Sequence, residues 1–400
     1  MDDRELIAAL RSLPAPDAAA TSARARDLVL AAHAGRHVEP RRRRRQRWLT
    51  AAAATLAMAV GGFAAVQGPA VAHWAQQAWR ASIGAGGGRP AAATALPGGG
   101  RLLVSTGIDA WVVGQGLTRP VGHTAGGDVS WSAFGNYVAC ACGKTLDAVA
   151  LNGRVAWTER YALPVESPLW SPDGNRIAFG VGRELYVTVG NGTGARGLRP
   201  IPAGSLLSVA AWRPGTGHEL AVNDAPGRVS VIDTDTDRDV AHVTVGRDPV
   251  SVGWSANGRR LLVATSRTLR VYAASGGLIA ELPTPRGAVI SAAQIAPSGH
   301  RVAYLVDEAN GRQEALLASV GPEPASRLLL VGTALGDLYF SPDGGWLLVG
   351  WHELDSWMFF TTGPGRAEVR QISHVAAHVG AAEPVVAAWC CAARPPAAAG

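Results

Sequence analysis

The sequence predicts an all-β fold, a seven-bladed β-propeller whose first blade is completed by a strand from the C-terminus. Three observations carry this. A turn of the type Trp170-Ser171-Pro172-Asp173-Gly174 recurs, with its glycine at Gly100, Gly135, Gly174, Gly217, Gly258, Gly299 and Gly344, a mean spacing near 41 residues. Each glycine is followed by a short run of β-formers, such as Arg176-Ile177-Ala178-Phe179 or Arg260-Leu261-Leu262-Val263, and most repeats add another, such as Val229-Ser230-Val231-Ile232. The repeat is also out of phase with the chain: no aromatic strand precedes Gly100, while Val386-Ala387-Ala388-Trp389 matches Val209-Ala210-Ala211-Trp212 and has no turn after it. Roughly 40 residues holding about four strands is the unit of a propeller blade. A blade shared between the two chain ends closes the ring and removes its open sheet edges.

The motif itself is a tight connection between antiparallel strands. Pro presets φ for the turn, Gly accepts positive φ, and Asp173 reads as a turn residue rather than a catalyst. Close copies are Trp131-Ser132-Ala133-Phe134-Gly135, Trp254-Ser255-Ala256-Asn257-Gly258 and Phe340-Ser341-Pro342-Asp343-Gly344; degenerate ones are Trp212 to Gly217 and Ile295 to Gly299. With 400 residues, 48% apolar content, 49 Gly, 25 Pro and 13 Trp, the chain suits many short strands around a large core.

Ahead of the repeats the chain has a different character. Residues 1–36 are polar and weakly amphipathic, with Leu6, Ile7, Leu10 and Leu13 in one short helical pattern and Leu28, Val29 and Leu30 in a second. Too small for a core, they read either as a tail without a fold of its own or as a helical segment that docks on a cytoplasmic partner. The unbroken run Arg41 to Arg45, with Arg47 and Trp48, then abuts a charge-free apolar stretch beginning at Leu49 and continuing to Ala72. That length spans a bilayer, and Arg on one side with Trp74 and Trp79 on the other gives a positive-inside orientation. The expected localisation is a single-pass cell-membrane protein with a cytoplasmic N-terminus and an extracytoplasmic propeller. The rival readings are a signal peptide cleaved near Ala70-Val71-Ala72, a faint twin-arginine signal and a buried soluble helix; the 40-odd residues before the apolar core and the flanking charges argue against them. The expected map is a cytoplasmic tail over 1–48, a transmembrane helix over 49–72, a juxtamembrane segment and Gly/Pro/Ala linker over 73–99, the propeller over 100–391 and a disordered tail over 392–400.

Charge follows the same division. Residues 1–48 carry 11 Arg against 6 acids, whereas the rest has 26 basic and 25 acidic residues, so nothing in the propeller points to nucleic acid.

Trp170 to Gly174 with Arg176 to Phe179, and Phe340 to Gly344, resemble the WD40-like repeats of TolB-type bacterial propellers. The stretch Val231 to Thr236, through Val243-Thr244-Val245-Gly246 to Leu261-Leu262-Val263-Ala264, resembles the YVTN repeat of surface-layer and lactonase-like propellers. Together the likeness covers 100–391 and implies a scaffold in the bacterial envelope rather than a particular chemistry. The layout of small tail, single span and outer domain is also similar to membrane-anchored anti-sigma regulators, which implies a cytoplasmic sigma factor as partner of the tail. The zinc-type anti-sigma motif is absent; only His33 and His37 stand there.

No motif assigns chemistry, so no catalytic, cofactor-binding or metal-ligating residue is named and no cofactor is expected. Asp233, Asp235, Asp237 and Asp239 superficially suggest a calcium loop, but Arg238 stands where an EF-hand needs Gly and Thr244 where it needs Glu. A solvated hairpin between the outer strands of a blade is the better reading. No G-x-S-x-G elbow or H-E-x-x-H occurs. A lactonase-type metal centre would draw ligands from separate blades and leave no local motif. Cys140, Cys142, Cys390 and Cys391 lack zinc spacing; a disulfide between the two pairs, locking neighbouring blades in an oxidising compartment, and buried free thiols are the two readings left open. The expected function is ligand sensing or scaffolding, a protein, peptide or glycan being held on a propeller face. The alternative is a lactonase- or lyase-like propeller enzyme with a channel-lined site, marked by His and carboxylates at the channel mouth.

Overall fold

The computed structural model describes residues 91–92, 95–114, 117–124, 127–201, 210–381 and 383–391. The tail expected over 1–48, the span expected over 49–72 and the tail over 392–400 lie outside them. Among the described residues no helix is long and apolar enough to cross a membrane.

The described strands form seven antiparallel blades, each running outward in chain order. The inner strands of blades 2 to 7 are Val129–Trp131, Val165–Trp170, Ala211–Trp212, Pro249–Trp254, Val289–Ile295 and Leu335–Phe340. Blade 1 takes its inner strand from the far end of the chain: Val385–Cys390 pairs with Arg101–Ser105, Leu102 opposite Trp389 and Leu103 opposite Ala388. The inner strands touch one another all the way round, from blade 7 to blade 1 and from blade 1 to blade 2. The ring is closed as the repeat spacing predicts. Ala91–Ala92 adds a short parallel fifth strand to blade 7, against Val369–Ser373, and Leu96 is buried between blades 7 and 1, so the segment expected as linker meets the propeller before its first turn.

The core has seven apolar clusters, one between each pair of adjacent blades. This explains why the second strands read as unbroken apolar runs. In Arg301–Asp307 the period-two alternation sends Val302, Tyr304 and Val306 toward blade 5 and Ala303 and Leu305 toward blade 7, so both faces are buried.

The recurring turn works through its serine. Ser171 Oγ accepts from Arg176 N at 2.9 Å and donates to Asp173 Oδ1 at 2.6 Å, and Asp173 Oδ1 accepts from Asn175 N at 3.1 Å. Ser255 and Asn257, and Ser341 and Asp343, repeat the arrangement. Arginines at the same end lock each turn to the next blade: Arg176 donates to Gly217 O, Arg213 to Gly258 O and Arg260 to Gly299 O. Asp173 is a turn residue, as read.

The acidic run also sits where expected, on the hairpin between Arg228–Asp233 and Arg238–Thr244, the outer strands of blade 4. It is not simply solvated. Arg199, from the outer strand of blade 3, reaches Asp224 at 2.9 Å and Asp237 and Asp239 at 2.8 Å, and Arg176 reaches Asp235 at 2.7 Å. Asp233 closes the hairpin by accepting from Asp235 N and Thr236 N. Arg199→Ala should therefore lower stability by about 1–3 kcal/mol, read by chemical denaturation: Asp224 loses a largely buried partner, while the other two carboxylates are more than a third exposed and screened.

The cysteines correct an expectation. Neither disulfide joins Cys140 or Cys142 to Cys390 or Cys391: Cys140 pairs with Cys142 and Cys390 with Cys391, leaving no free thiol. Tyr137–Cys142 runs away from the turn end of blade 2, whereas Cys390 finishes its strand at that end, opposite Arg101. Disulfides stabilise mainly by closing long loops, and these close almost none. Reduction should shift the melting temperature by no more than a few degrees, against the loss of about 2–5 kcal/mol usual for a native long-loop bridge.

Candidate functional site

Two faces of the ring differ in how far their polar groups are already engaged. On the turn face, where inner strands end, the arginines described above are spent on neighbouring blades. The chain also enters the ring there through Gly98, Gly99 and Gly100 and leaves it at Cys390; Trp389 Nε1 donates to Gly99 O. Exposed apolar side chains occur on both faces, at Phe134, Val155, Val189 and Leu278 on the turn face and at Ile108, Leu163, Val289, Leu354 and Val385 on the opposite face, where inner strands begin. The opposite face also holds a buried carboxyl.

That carboxyl is Asp337. The inner strand of blade 7 is bulged: Gly336 pairs with Gly350 and Tyr339 with Leu348, so Asp337 and Leu338 share one partner position. Asp337 takes a left-handed φ of +48°, which an Asp tolerates better than most side chains. Blade 3 has the same bulge at Ser167, also at φ +48°, and there Ser167 N and Oγ both donate to Asp128 of blade 2. In blade 7 the side chain turns to the closing strand instead, and Val386 N donates to the Asp337 carboxyl.

Space for this side chain is provided by glycines. A Cβ on Gly350 would stand 2.6 Å from Asp337 Oδ2, and one on Gly336 would stand 2.7 Å from His352 Nε2. His352 ends the second strand's run into a 3-10 turn, His352–Leu354, and places Nε2 3.7 Å from Asp337 Oδ2. The Asp337 side chain is only 2% exposed, and Oδ2 has no hydrogen-bond partner among the described residues. Burial pushes its carboxyl up to about 7, against the pull of Val386 N–H. Burial likewise lowers the His352 imidazole, opposed by Glu383. Burial thus favours the uncharged form of both groups, the neutral carboxyl and the neutral imidazole, an arrangement suited to hydrogen bonding with a ligand.

A short helix frames the site. Asp355, at φ +46°, accepts Val375 N on its carbonyl and Ala376 N on Oδ1, anchoring Val375–Val379, whose valines bury against the blade 7 to blade 1 core. His352, Trp357, Val375, Glu383 and Pro384 line the cleft so formed. No cluster of three or more metal-ligating side chains occurs among the described residues.

Sequence reasoning named none of these residues. The available signal was a charge inside an inner-strand pattern, Leu335-Gly336-Asp337-Leu338-Tyr339-Phe340, where every equivalent strand is apolar or neutral apart from Glu166 in blade 3.

No protein-family model matches the chain, and no curated protein does. Solved structures similar to it include Kuenenia stuttgartiensis hydrazine synthase (15% identity, TM-score 0.48, covering 58% of this chain and 76% of that one). Others are the β-propeller domain of Cps50 (Swd1) from Myceliophteria thermophila (17%, 0.45, 62% and 85%) and a chain of the mitotic checkpoint complex (15%, 0.49, 62% and 76%). Likeness at this level carries no argument about activity.

Proposed function

We propose that the chain is a membrane-tethered binding protein of the bacterial envelope, whose propeller holds a protein, peptide or glycan on the face bearing Asp337 and His352. The observation that carries this is the cleft itself: on the face where inner strands begin, His352, Asp355, Trp357, Glu383 and Pro384 line a cleft next to the buried Asp337, and the flanking Leu354 and Val385 are exposed. The Arg41–Arg45 run and the apolar stretch to Ala72 support an anchor with the tail inside, and the layout supports residues 1–36 as the arm that engages a sigma factor. Tags at both ends and protease added to intact cells test the placement. The N-terminal tag should be retained and protected and the C-terminal one removed; a mature protein lacking the N-terminal tag sinks the anchor. Repeated failure of residues 1–36 to capture a sigma factor sinks the regulatory arm.

One observation favours the enzyme reading. Asp337, His352 and Glu383 gather at this face, and a carboxyl next to a neutral imidazole is the makings of a general base. Ester or lactone hydrolysis that disappears in both Asp337→Asn and His352→Ala would establish it.

A further inference from the structure

We propose that Cys390–Cys391 is a thiol–disulfide exchange site, at which external thiols are oxidised to their disulfide, and that Cys140–Cys142 is not. The two bridges differ in two ways. Cys390 and Cys391 both lie half-buried at the turn face where the closing strand ends, whereas in blade 2 Cys142 is half-buried but Cys140 is fully buried. Each bridge lies within a single blade, and Cys390–Cys391 spans adjacent residues at the strand's end, so opening it frees no blade from its neighbour.

The second difference is a cation. The point where a Gly135 Cβ would stand lies 2.5 Å from Cys391 Sγ and 2.6 Å from Arg101 Nη2, so sulfur and guanidinium are no more than about 5 Å apart. Arg101 stacks over Trp131 with its carbon 5.4 Å from the ring centroid, and its hydrogen bond goes to Phe134 O at 3.5 Å. Among the described residues no carboxylate pairs with it. Burial, then the nearby Arg119, hold its guanidinium below the usual range, so an anion beside it is favoured. A thiolate on Cys391 would supply one. Cationic neighbours lower thiol pKa values, and a better thiolate is a better leaving group in exchange.

The step balances as follows. A thiolate RS⁻ attacks Cys390 Sγ; the S–S bond breaks and its electron pair leaves on Cys391 as thiolate beside Arg101. A second thiolate attacks the mixed disulfide, forming R–S–S–R and releasing Cys390. The two hydrogens of two R–SH end on Cys390 and Cys391, so the protein is reduced by two electrons and the thiols are oxidised by two. The substrate class is an external thiol, small or protein-borne.

The test uses the full chain in graded glutathione buffers, acid quenching, alkylation and peptide mass spectrometry. Cys390 and Cys391 should be labelled at least tenfold more than Cys140 and Cys142 in the same buffer, with oxidised glutathione appearing in step. Arg101→Gln should slow reduction several-fold at neutral pH and move its pH profile upward, and Arg101→Lys should largely restore both. Equal labelling of the two pairs, no reduction of Cys390–Cys391 short of denaturation, or an unchanged rate and profile in Arg101→Gln overturns the proposal.

Discussion

A chain ended after Pro384 should fail to form the folded ring. The deletion removes Val385–Cys390, whose backbone pairs with Arg101–Ser105 and whose Val386 and Trp389 are buried between blades 7 and 1. It leaves the Leu102 strand as an open edge, takes away the Trp389 hydrogen bond to Gly99 and strips Asp337 of the Val386 amide. Trp389 stacks edge-on to Phe359 at 5.7 Å, and truncating so large a buried aromatic to Ala costs about 3–5 kcal/mol by itself. Domain stabilities of about 5–15 kcal/mol leave little margin for the whole strand. Far-UV circular dichroism and gel filtration should show an unfolded or aggregated product. Trp389→Ala is the graded version and should melt several degrees below the wild-type chain.

The second large effect concerns pH. The Asp337 carboxyl is held near 7 in the folded chain by burial, against about 4 in an unfolded one. Below pH 4 both states carry the proton, and the favourable contribution is fully present. Between pH 4 and 7 the unfolded chain ionises while the folded chain does not, so stability from this group falls as pH rises and levels off above 7. Three units correspond to about 4 kcal/mol. Asn is the shape of the protonated acid, accepts the left-handed φ and keeps an acceptor for Val386 N. Asp337→Asn should thus match wild type near pH 4 and melt well above it at pH 8, with the difference growing between. A difference independent of pH would mean that Asp337 does not titrate in this range.

The architecture was legible because blade-forming signals are local. Each Ser-x-Asp-Gly or Ser-x-Asn-Gly turn satisfies its own backbone within six residues, so Ser171 or Ser255 announces itself without knowledge of the rest. The split first blade was legible for the same reason, since Trp389 is recognisable wherever its turn lies. What could not be read is set by neighbours distant along the chain. The aspartates on the blade 4 hairpin look solvated until Arg199 arrives from the adjacent blade, 38 residues before Asp237. The cysteine pairing depended on which end of the strand each sulfur occupies. Asp337 and His352 come together only through a bulge and two glycines, Gly336 and Gly350, and a one-residue irregularity has no periodic signature.

The claim that the Asp337 face is where ligand is held can be tested by site-specific photo-crosslinking. One full-length variant carries the crosslinker at Leu354, on that face, and another at Phe134, on the turn face; both positions are exposed. Irradiated in intact cells, the Leu354 variant should give a discrete adduct that weakens when Glu383 is changed to Lys, and the Phe134 variant should give none. A discrete adduct at Phe134 with none at Leu354 would contradict the account.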